Sequence, residues 1–538
     1  MEILNKKLSV TSEVQFRWHE QERLMFVHFA PNTWQNQEYD DLSTPLSDIN
    51  PQNLDTDQWC RVALSWGAKE ILFVAKHVGG FCWWPTKSSD YNVSNIPWKG
   101  GKGDLLRDIS ESCKKFGLNL GVYVYPGDAY LGAYLGGGGA TSDKEKQAAY
   151  TKAYRTQLEE VLSNYGDMIE VWFDGNNNLP INDILEKYAS KCVVFQSPHA
   201  TIRWCGNEKG MIPYPSWSTI DKRFLATGVA TARHSDPDGD TWAALEADVP
   251  LYTHNWFWSS ENEHKRKSVE ELLEIYYKSV GRGSVMLLNA SPTTNGDICP
   301  GDAKRYADFG KALEERFSNA LKGRVTVLSD GAEIEFDEPA SVNHLIIKED
   351  YRHGERIRKY TVYGEGENGK IELCKGSMVG SCRIQVFPTV KVKKIIFSVD
   401  VAAAEPMIKS VAAYCVDDDI EALLKKLDDK PRTTDNLWQK CGDFGGSDDY
   451  AELETDLTSK ILFAGEYVVD FFAGKGRKKP ELKDAVAVLE GFPTPGFADI
   501  RDNGTVVINR TAAVTDATST ALRIKVKGNP CEIRVKPY

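Results

Sequence analysis

The chain has 538 residues, 41% of them hydrophobic, and a formal net charge of −12. This length predicts two to four domains with large buried cores, and no apolar stretch approaches the roughly 20 residues that a membrane-spanning helix needs. The acidic balance argues against a nucleic-acid-binding surface and fits a neutral ligand.

The cysteines and the N-terminal residues give information about the cellular compartment of the protein. Eleven cysteines are scattered without a C-x-x-C pair, which resembles neither a zinc site nor a compact disulfide framework and predicts mostly buried thiols. Residues 1–7 lack the apolar core of a secretory signal. Two locations therefore stay open: the cytoplasm, or a secreted or periplasmic location reached with a signal that has been removed.

The first 320 residues alternate between strand-like and helix-like segments. Apolar runs predict strands at 24–29, 70–75, 118–125, 169–173, 192–196 and 284–289. Apolar residues at helical spacing predict helices at 57–66, 103–116, 144–165, 184–189, 268–280 and 300–317. Such alternation is typical of parallel βα units. It predicts a (β/α)8-like barrel at residues 1–321, closed by the last of these helices.

Beyond residue 321 the pattern changes to short strands divided by glycine, asparagine and aspartate. This pattern predicts one β-sandwich at 322–418 and, after a polar link that begins at Asp417, a second at 419–538. Neither sandwich shows a catalytic constellation, so packing against the barrel is the favoured role and glycan binding the alternative. The predicted fold class is α/β plus all-β.

One predicted barrel strand ends in a carboxylate. The run 169–173 is followed by Asp174 and Gly175, and Trp172 lies two residues before the carboxylate. The carboxyl ends of barrel strands carry the chemistry of such enzymes, although a lone aspartate there is more often a cap or turn former. Thirteen of the fourteen tryptophans precede residue 260, and their rings suit sugar faces as well as ordinary packing.

Several motifs occur in one order along the predicted barrel. They are VHFAPNTW at 27–34, KHVGGFCWWP at 76–85, VWFDG at 171–175, IRWCGNE at 202–208, EADV at 246–249 with WF at 256–257, and IYYKSVGR at 275–282 with LLN at 287–289. Together they resemble the α-L-fucosidases of glycoside hydrolase family 29, over about residues 15–317. The resemblance implies a (β/α)8-like barrel with C-terminal β-sandwiches, hydrolysis of fucosides, and no metal or organic cofactor. The motif at 203–208 is similar to that of the subgroup acting on α-1,3/1,4 linkages.

The chemistry of such enzymes needs two carboxyl groups, a nucleophile and an acid/base about 5–5.5 Å apart. The resemblance makes Asp174 the nucleophile that forms a covalent glycosyl-enzyme. Glu208, in a turn-rich loop after the strand at 192–196, matches the acid/base of the subgroup. Glu246, at the start of a predicted strand, competes for that role. We favour Glu208 as acid/base and expect Glu246 to be a substrate-side or supporting group; the simpler interpretations are a surface glutamate and a salt-bridged structural carboxylate.

The sugar hydroxyls and the sugar ring need partners of their own. His28 and His77 both end apolar runs, and with Glu38 they match hydroxyl-binding positions of the family pattern. A lone histidine is more often structural, but these two are expected at the same edge of the barrel as Asp174. The apolar wall for the ring and its methyl group is expected from four side chains: Trp34, Trp83, Trp172 and Trp204.

Two departures from the family pattern leave the identity of the sugar open. Val78 and Gly79 stand where the family commonly has a second histidine and an aspartate, and Gly127 and Asp128 stand where it often has a Trp-Asp pair. The predicted function is hydrolysis of terminal α-1,3/1,4-linked fucose from a fucosylated oligosaccharide or glycoconjugate. The alternatives are a retaining glycosidase for another α-L-sugar, such as an α-L-galactoside, and a noncatalytic glycan-binding protein on the same fold. No nucleic-acid or membrane partner is expected.

Overall fold

The chain forms two compact units in a computed structural model. The first unit holds the described residues up to 427 and the second holds those from 439 onward. The structure describes residues 1–175, 177–205, 208–220, 222–225, 235–253, 255–367, 369–427, 439–457, 465–473, 478–489, 498–501, 504–510 and 520–537. Within these ranges none of the helices combines the length and the apolar character that a membrane crossing requires.

Eight parallel strands close into a barrel in the first unit. In chain order they are β1 (Arg23–Val27), β2 (Glu70–Lys76), β3 (Asn119–Val124), β4 (Glu170–Trp172), β5 (Val193–Phe195), β6 (Ile202–Trp204), β7 (Ala244–Pro250) and β8 (Val285–Ala290). Each strand pairs with its neighbours in this order, and β8 closes on β1 with Leu287 opposite Leu24. The predicted (β/α)8-like barrel is confirmed.

The helices are α1 (Glu13–His19), α2 (Asn32–Gln35), α3 (Thr56–Ser65), α4 (Leu105–Phe116), α5 (Lys144–Asn164), α6 (Asn182–Tyr188), α7 (Lys222–Leu225), α8 (Val269–Lys278), α9 (Pro300–Phe317) and α10 (Ile420–Leu427). Local signals set their ends: Asp104 caps α4 by accepting from the Arg107 backbone N–H, and Gly117 ends it with a φ of 70°. The polar link expected after Asp417 contains α10, and Leu427 packs into the core around the barrel.

The sequence pattern does not predict β6 and predicts only part of β7. The pattern does not predict β6, because its three residues include Arg203, which is buried and donates to the Trp217 carbonyl at 2.7 Å. Only the start of β7 is predicted, at Glu246, which is in fact its third residue. The loop that carries Glu208 therefore follows β6, and its expected place directly after β5 is corrected.

The remaining strands form almost entirely antiparallel sheets, the smallest of which pairs Thr219–Ile220 with Thr241–Trp242. One sheet in the first unit contains Glu2–Ile3, Arg324–Leu328, Gly331–Glu349, Ile357–Gly366, Gly369–Gly376, Arg383–Ala402 and Ile408–Tyr414. Two sheets in the second unit contain Gln439–Phe444, Gly465–Phe472, Ala498–Ile500, Thr505–Arg510 and Cys531–Pro537, and Ser447–Asp456, Glu481–Leu489 and Thr520–Gly528. The predicted fold class is confirmed; the domain boundaries after residues 321 and 418 stay predictions, since the barrel and the first of these sheets share one unit.

Candidate active site

Alternation along β4 places three side chains on the inner face of the barrel. Side chains two residues apart in a strand point to the same side, so Glu170, Trp172 and Asp174 lie in successive layers from the floor of the barrel to its carboxyl-end rim. Gly175 then turns the chain with a φ of 73°. Asp174 stands at the end of the barrel where enzymes of this fold carry their chemistry.

Asp174 is half-buried and has a tyrosine as its partner. Tyr123, on β3, donates its hydroxyl to Asp174 Oδ2 at 3.0 Å. Desolvation raises the pKa of Asp174, whereas the hydrogen bonds from Tyr123 and from the Gly175 backbone lower it. The Tyr123 ring also stacks on Trp172, with centroids 5.2 Å apart. The carboxyl group, the phenol and the indole therefore form one packed unit.

Two neutral histidines follow β1 and β2 at the same rim. The rings of His28 and His77 lie 5.8 Å apart. Burial lowers the pKa of His77 to about 3, and burial with the neighbouring His77 lowers that of His28. His28 Nδ1 lies 2.7 Å from Asn289 Oδ1, while the Asn289 amide donates to the Trp256 carbonyl. His28 Nδ1 must then be the donor, which leaves Nε2 a lone pair for a ligand hydroxyl.

Trp256 forms hydrogen bonds with two glutamates, Glu38 and Glu208. Its backbone N–H donates to Glu38 Oε2 at 3.1 Å, and its indole hydrogen-bonds Glu208. Asn255 Nδ2 donates to Glu38 Oε1, also at 3.1 Å. Much of Glu208 is exposed, yet desolvation of its carboxyl group raises its pKa, and the charge of Asp174 raises it further. That is the direction a proton donor needs.

The backbone at Glu208 is unusual as well. Its φ is 57°, a left-handed conformation that a glutamate seldom adopts. Such conformations cost free energy and cluster at functional sites. Gly206 and Asn207, which belong to the motif that carries Glu208, lie outside the described residues.

Glu246 lies below the rim. It is fully buried, and its Oε1 accepts from the Trp172 indole at 2.8 Å. Trp172 is itself stacked between Phe195 and Tyr123. Because the indole lies between Glu246 and the layer of Asp174, the geometry favours Glu208 as acid/base and a supporting role for Glu246.

The four tryptophans expected to form one apolar wall are in different surroundings. Trp34 is half-buried against Phe29, and Trp204 is buried and donates to Asp248 Oδ1 at 2.6 Å. Trp83 is fully buried, stacks on Phe29 with centroids 4.8 Å apart and donates to the Phe29 carbonyl. The rings of Phe29 and Phe81 pack against the Trp83 ring, so its indole is buried in the core and not exposed to a ligand.

The bend after β2 has little room for side chains. A Cβ added at Gly79 would lie 2.0 Å from Asp40 Oδ2, and one added at Gly80 would lie 2.1 Å from Asp128 Oδ1. Asp128 forms a fully buried ion pair with Lys76 at 2.9 Å. Two aspartates from other segments thus occupy the space beside the position where the family pattern has its own aspartate.

The sequence patterns assign no role to four residues of the candidate site: Tyr39, Tyr123, Trp256 and Asn289. Alternation on β3 was the available signal for Tyr123, and a polar residue near the end of the apolar strand β8 was the signal for Asn289. Tyr39 had none. It is 60% exposed, and desolvation followed by the charges of Asp174 and Glu208 raises its pKa, so its hydroxyl lies in the field of both carboxyl groups.

Three buried carboxyl groups lie at and just above the floor of the barrel: Glu70 on β2, Glu170 on β4 and Glu246 on β7, here called the floor cluster. Gly121, on β3 between the first two, provides their space. A Cβ at this position would lie 2.3 Å from Glu70 Oε1 and 3.1 Å from Glu170 Cβ.

Gly121→Ala is therefore expected to lower the free energy of unfolding by about 1–3 kcal/mol, the usual cost of overpacking a core. Denaturant unfolding followed by tryptophan fluorescence measures this loss, since thirteen of the fourteen tryptophans lie in the first unit. Gly366→Ala is the matched control, because its added Cβ would approach nothing closer than 3.4 Å. Equal stability of the two variants would contradict the packing argument.

The fold and the carboxyl groups at the rim define a glycoside hydrolase of the barrel type. The family model described as Alpha-L-fucosidase matches residues 7–316, which is more than half of the chain. The chain belongs to the α-L-fucosidase family.

Individual relatives agree with this assignment. Alpha-L-fucosidase 1 of Arabidopsis thaliana is 28% identical over 458 residues, covering 76% of this chain and 88% of the plant protein. The structure of a glycoside hydrolase 29 family member from an unknown rumen bacterium is 26% identical with a TM-score of 0.68, covering 99% of this chain and 96% of that one. A Ruminococcus gnavus GH29 fucosidase, solved in complex with fucose, is 25% identical with a TM-score of 0.69, covering 78% and 97%. The expectation of a glycoside hydrolase is confirmed; the α-1,3/1,4 subgroup stays a prediction.

Proposed function

We propose that this protein is a retaining α-L-fucosidase that removes terminal α-1,3/1,4-linked fucose from glycans, with Asp174 as nucleophile and Glu208 as acid/base. The observation that carries the proposal is the electrostatic coupling of these two carboxyl groups at the rim. Asp174 is held by Tyr123, Glu208 by Trp256, and the charge of the first raises the pKa of the second. A retaining pair needs this arrangement, because one group must stay ionised while the other carries a proton.

The first step forms the glycosyl-enzyme. An Asp174 oxygen attacks the anomeric carbon while Glu208 gives its proton to the glycosidic oxygen, so that the aglycone leaves as a neutral alcohol. In the second step Glu208 takes a proton from water, and the water oxygen displaces Asp174 from the anomeric carbon. Two inversions return fucose in its original configuration. The hydrogen bonds from Tyr123 and Gly175 favour the ionised form of Asp174 that the attack requires.

The sugar hydroxyls find hydrogen-bond partners at the rim. His28, neutral and with a free Nε2, accepts a hydrogen bond, and His77 beside it is neutral as well. The Glu38 carboxyl is held by Asn255 and the Trp256 backbone, which fixes its direction before a ligand arrives. The fucose complex of the Ruminococcus gnavus relative supports fucose as the sugar.

Three substrates test the function: a nitrophenyl α-L-fucoside, the corresponding α-L-galactoside and an α-1,3/1,4-fucosylated oligosaccharide, with an α-1,2-linked one for comparison. We expect turnover of the fucoside and preference for the α-1,3/1,4 linkage, with α-fucose as the first product seen by NMR. Faster turnover of the galactoside would support another α-L-sugar as substrate. Glycan binding without turnover would indicate a noncatalytic glycan-binding protein instead of an enzyme.

Tyr39→Ala tests recognition of the sugar that carries the fucose. The exposed Tyr39 ring beside both carboxyl groups is placed to stack on that sugar, so its loss should lower kcat/KM for the oligosaccharide roughly 2–10-fold. α-L-Fucosyl fluoride carries no such sugar, and its kcat/KM should be unchanged. Equal losses on both substrates would contradict a role in aglycone recognition.

A further inference from the structure

We infer that the three carboxyl groups of the floor cluster share protons as one unit beneath the active site, and that Glu246 is a positioning residue that holds Trp172 under Asp174. The catalytic part of this inference rests on the proposed role of Asp174. The proton-sharing part does not, because it follows from the contacts of the cluster itself.

Each carboxyl group of the cluster has one oxygen with a donor and one without. Gln21 donates to Glu70 Oε2 at 2.7 Å and Trp18 to Glu170 Oε2 at 2.8 Å, in the way that Trp172 donates to Glu246. The other three oxygens, Glu70 Oε1, Glu170 Oε1 and Glu246 Oε2, are buried and meet no protein donor. The Glu170 carboxyl group instead neighbours those of Glu70 and Glu246, close enough to form a hydrogen bond with each when one oxygen of the pair carries a proton.

A hydrogen bond between two carboxyl groups requires a proton on one of them. Two such contacts therefore require at least one proton among the three groups, and two protons when each contact has its own. The alternative of three ionised groups would leave adjacent like charges desolvated, and no cation is among the groups that act most strongly on the three carboxyl groups. In the same ranges no group of acidic, histidine or cysteine side chains is placed to hold a metal ion that could replace the protons.

The groups that face the three carboxyl groups carry no positive charge themselves, although the cation Arg17 acts on one of them, Cys192. Asp248 faces Glu246 from the same strand, Cys113 faces Glu70 from α4, and Cys192 faces Glu70 and Glu170 from the residue before β5. All are neutral or negative groups. Burial, opposed by the hydrogen bond from Gln21, raises the pKa of Glu70 to about 8.

The Trp172 indole links the floor cluster to the proposed active site. Glu246 accepts from Trp172, Trp172 stacks on Tyr123, and Tyr123 donates to Asp174. Without Glu246 the indole N–H would be buried without an acceptor, and the ring would lose the contact that fixes its height in the barrel. Glu70, at the far end of the cluster, touches none of these groups.

Infrared spectroscopy at neutral pH tests the shared protons directly. Wild type should show the C=O stretch of protonated carboxyl groups, and Glu70→Gln and Glu246→Gln should each lose intensity in that band. The Asp174→Ala variant should retain it, which separates this test from the proposed nucleophile. A band unchanged in both glutamine variants would overturn the inference, because the cluster would then be ionised.

A pair of leucine variants tests the positioning role. Glu246→Leu should lower kcat roughly 10–100-fold with little change in KM, since small displacements at a reacting centre have effects of this size. Glu70→Leu should keep kcat close to wild type, and Glu246→Gln should also keep it, because an amide can accept from Trp172 and donate to Glu170. A normal kcat for Glu246→Leu, or an equal loss in Glu70→Leu, would overturn the role. If Glu246→Leu does not fold, the test rests on Glu246→Gln, and a large loss of kcat in that variant would overturn the positioning role.

The proton-sharing cluster also makes stability depend on pH in one direction. Burial raises the pKa of Glu70 from its ordinary 4.5 to about 8 in the folded chain, so the stabilisation is fully present below the first value and is lost as pH rises to the second. The unfolding temperature of wild type should therefore fall between about pH 5 and 8 and level off above that range, and the unfolding temperature of Glu70→Gln should fall less. A steeper fall in the variant would contradict a shared proton at Glu70.

Discussion

Asp174→Ala is expected to lower kcat for nitrophenyl α-L-fucoside by a factor on the order of 10⁴ or more, as loss of the nucleophile does in other covalent mechanisms. The glycosyl-enzyme cannot form without its carboxylate, and no other acidic group in the described layers shares the position of Asp174 at the end of β4. Sodium azide should restore turnover, because the small anion can enter the space of the missing side chain. The product should be the fucosyl azide of inverted configuration, since azide attacks from the face that Asp174 occupied.

Asp167→Ala is the matched control for this variant. Asp167 is exposed and precedes β4 at the opposite end of the barrel, so its loss should leave kcat unchanged. Azide rescue of a different carboxylate variant, or a fucosyl azide of retained configuration from Asp174→Ala, would contradict the assignment of the nucleophile.

Glu208→Ala should separate substrates by their leaving groups. General acid catalysis contributes about 10²–10⁴-fold when the leaving group needs a proton, so kcat/KM for a fucosylated oligosaccharide should fall within that range. A dinitrophenyl fucoside leaves without protonation, so its first step should proceed at nearly the wild-type rate and the glycosyl-enzyme should accumulate as a burst. The alkaline limb of the pH profile, which reports the raised pKa of Glu208, should disappear.

Two variants serve as controls for this result. Glu111→Ala removes an exposed glutamate of α4 and should behave as wild type. Glu246→Gln should show no dependence on the leaving group, because Glu246 lies beneath Trp172 and touches no substrate. If Glu246→Gln shows the leaving-group dependence and Glu208→Ala does not, the acid/base assignment is wrong.

The barrel could be predicted because its signals are local. Buried parallel strands are short apolar runs and the helices between them have regular spacing, so β1 to β5 and β8 are found within a few residues. The pattern fails at β6, where a buried arginine interrupts a strand of only three residues. It also fails at α10, because charged residues flank this short helix on both sides and make the segment resemble a link, although its apolar side packs on the core around the barrel.

Positions in the candidate site could be predicted only where a residue's place in a strand determines its place in the barrel. Asp174, His28 and His77 each end an apolar run, and the structure brings them to one rim. The contacts of Glu246 and Trp83 could not be inferred in this way, because their partners are distant in sequence: Trp172 is 74 residues from Glu246, and Phe29 is 54 residues from Trp83.

The floor cluster was missed for a related physical reason. An isolated glutamate at the first position of a strand, such as Glu70 or Glu170, has the sequence signature of an exposed end residue. Only closure of the barrel brings these side chains together with Glu246 and removes them from water. Gly121 gave a weak signal, since a glycine within a strand often marks close approach by another group.

Mass spectrometry of the trapped intermediate is the most direct test of the proposed mechanism. A 2-deoxy-2-fluoro-fucosyl fluoride forms the glycosyl-enzyme but slows its hydrolysis, so the labelled carboxylate can be found by peptic digestion and fragmentation. We predict one fluorofucosyl group per chain, attached to Asp174. A label on Glu208, Glu246 or another carboxylate, or rapid turnover of fucosides by a chain that never becomes labelled, would contradict a covalent mechanism through Asp174.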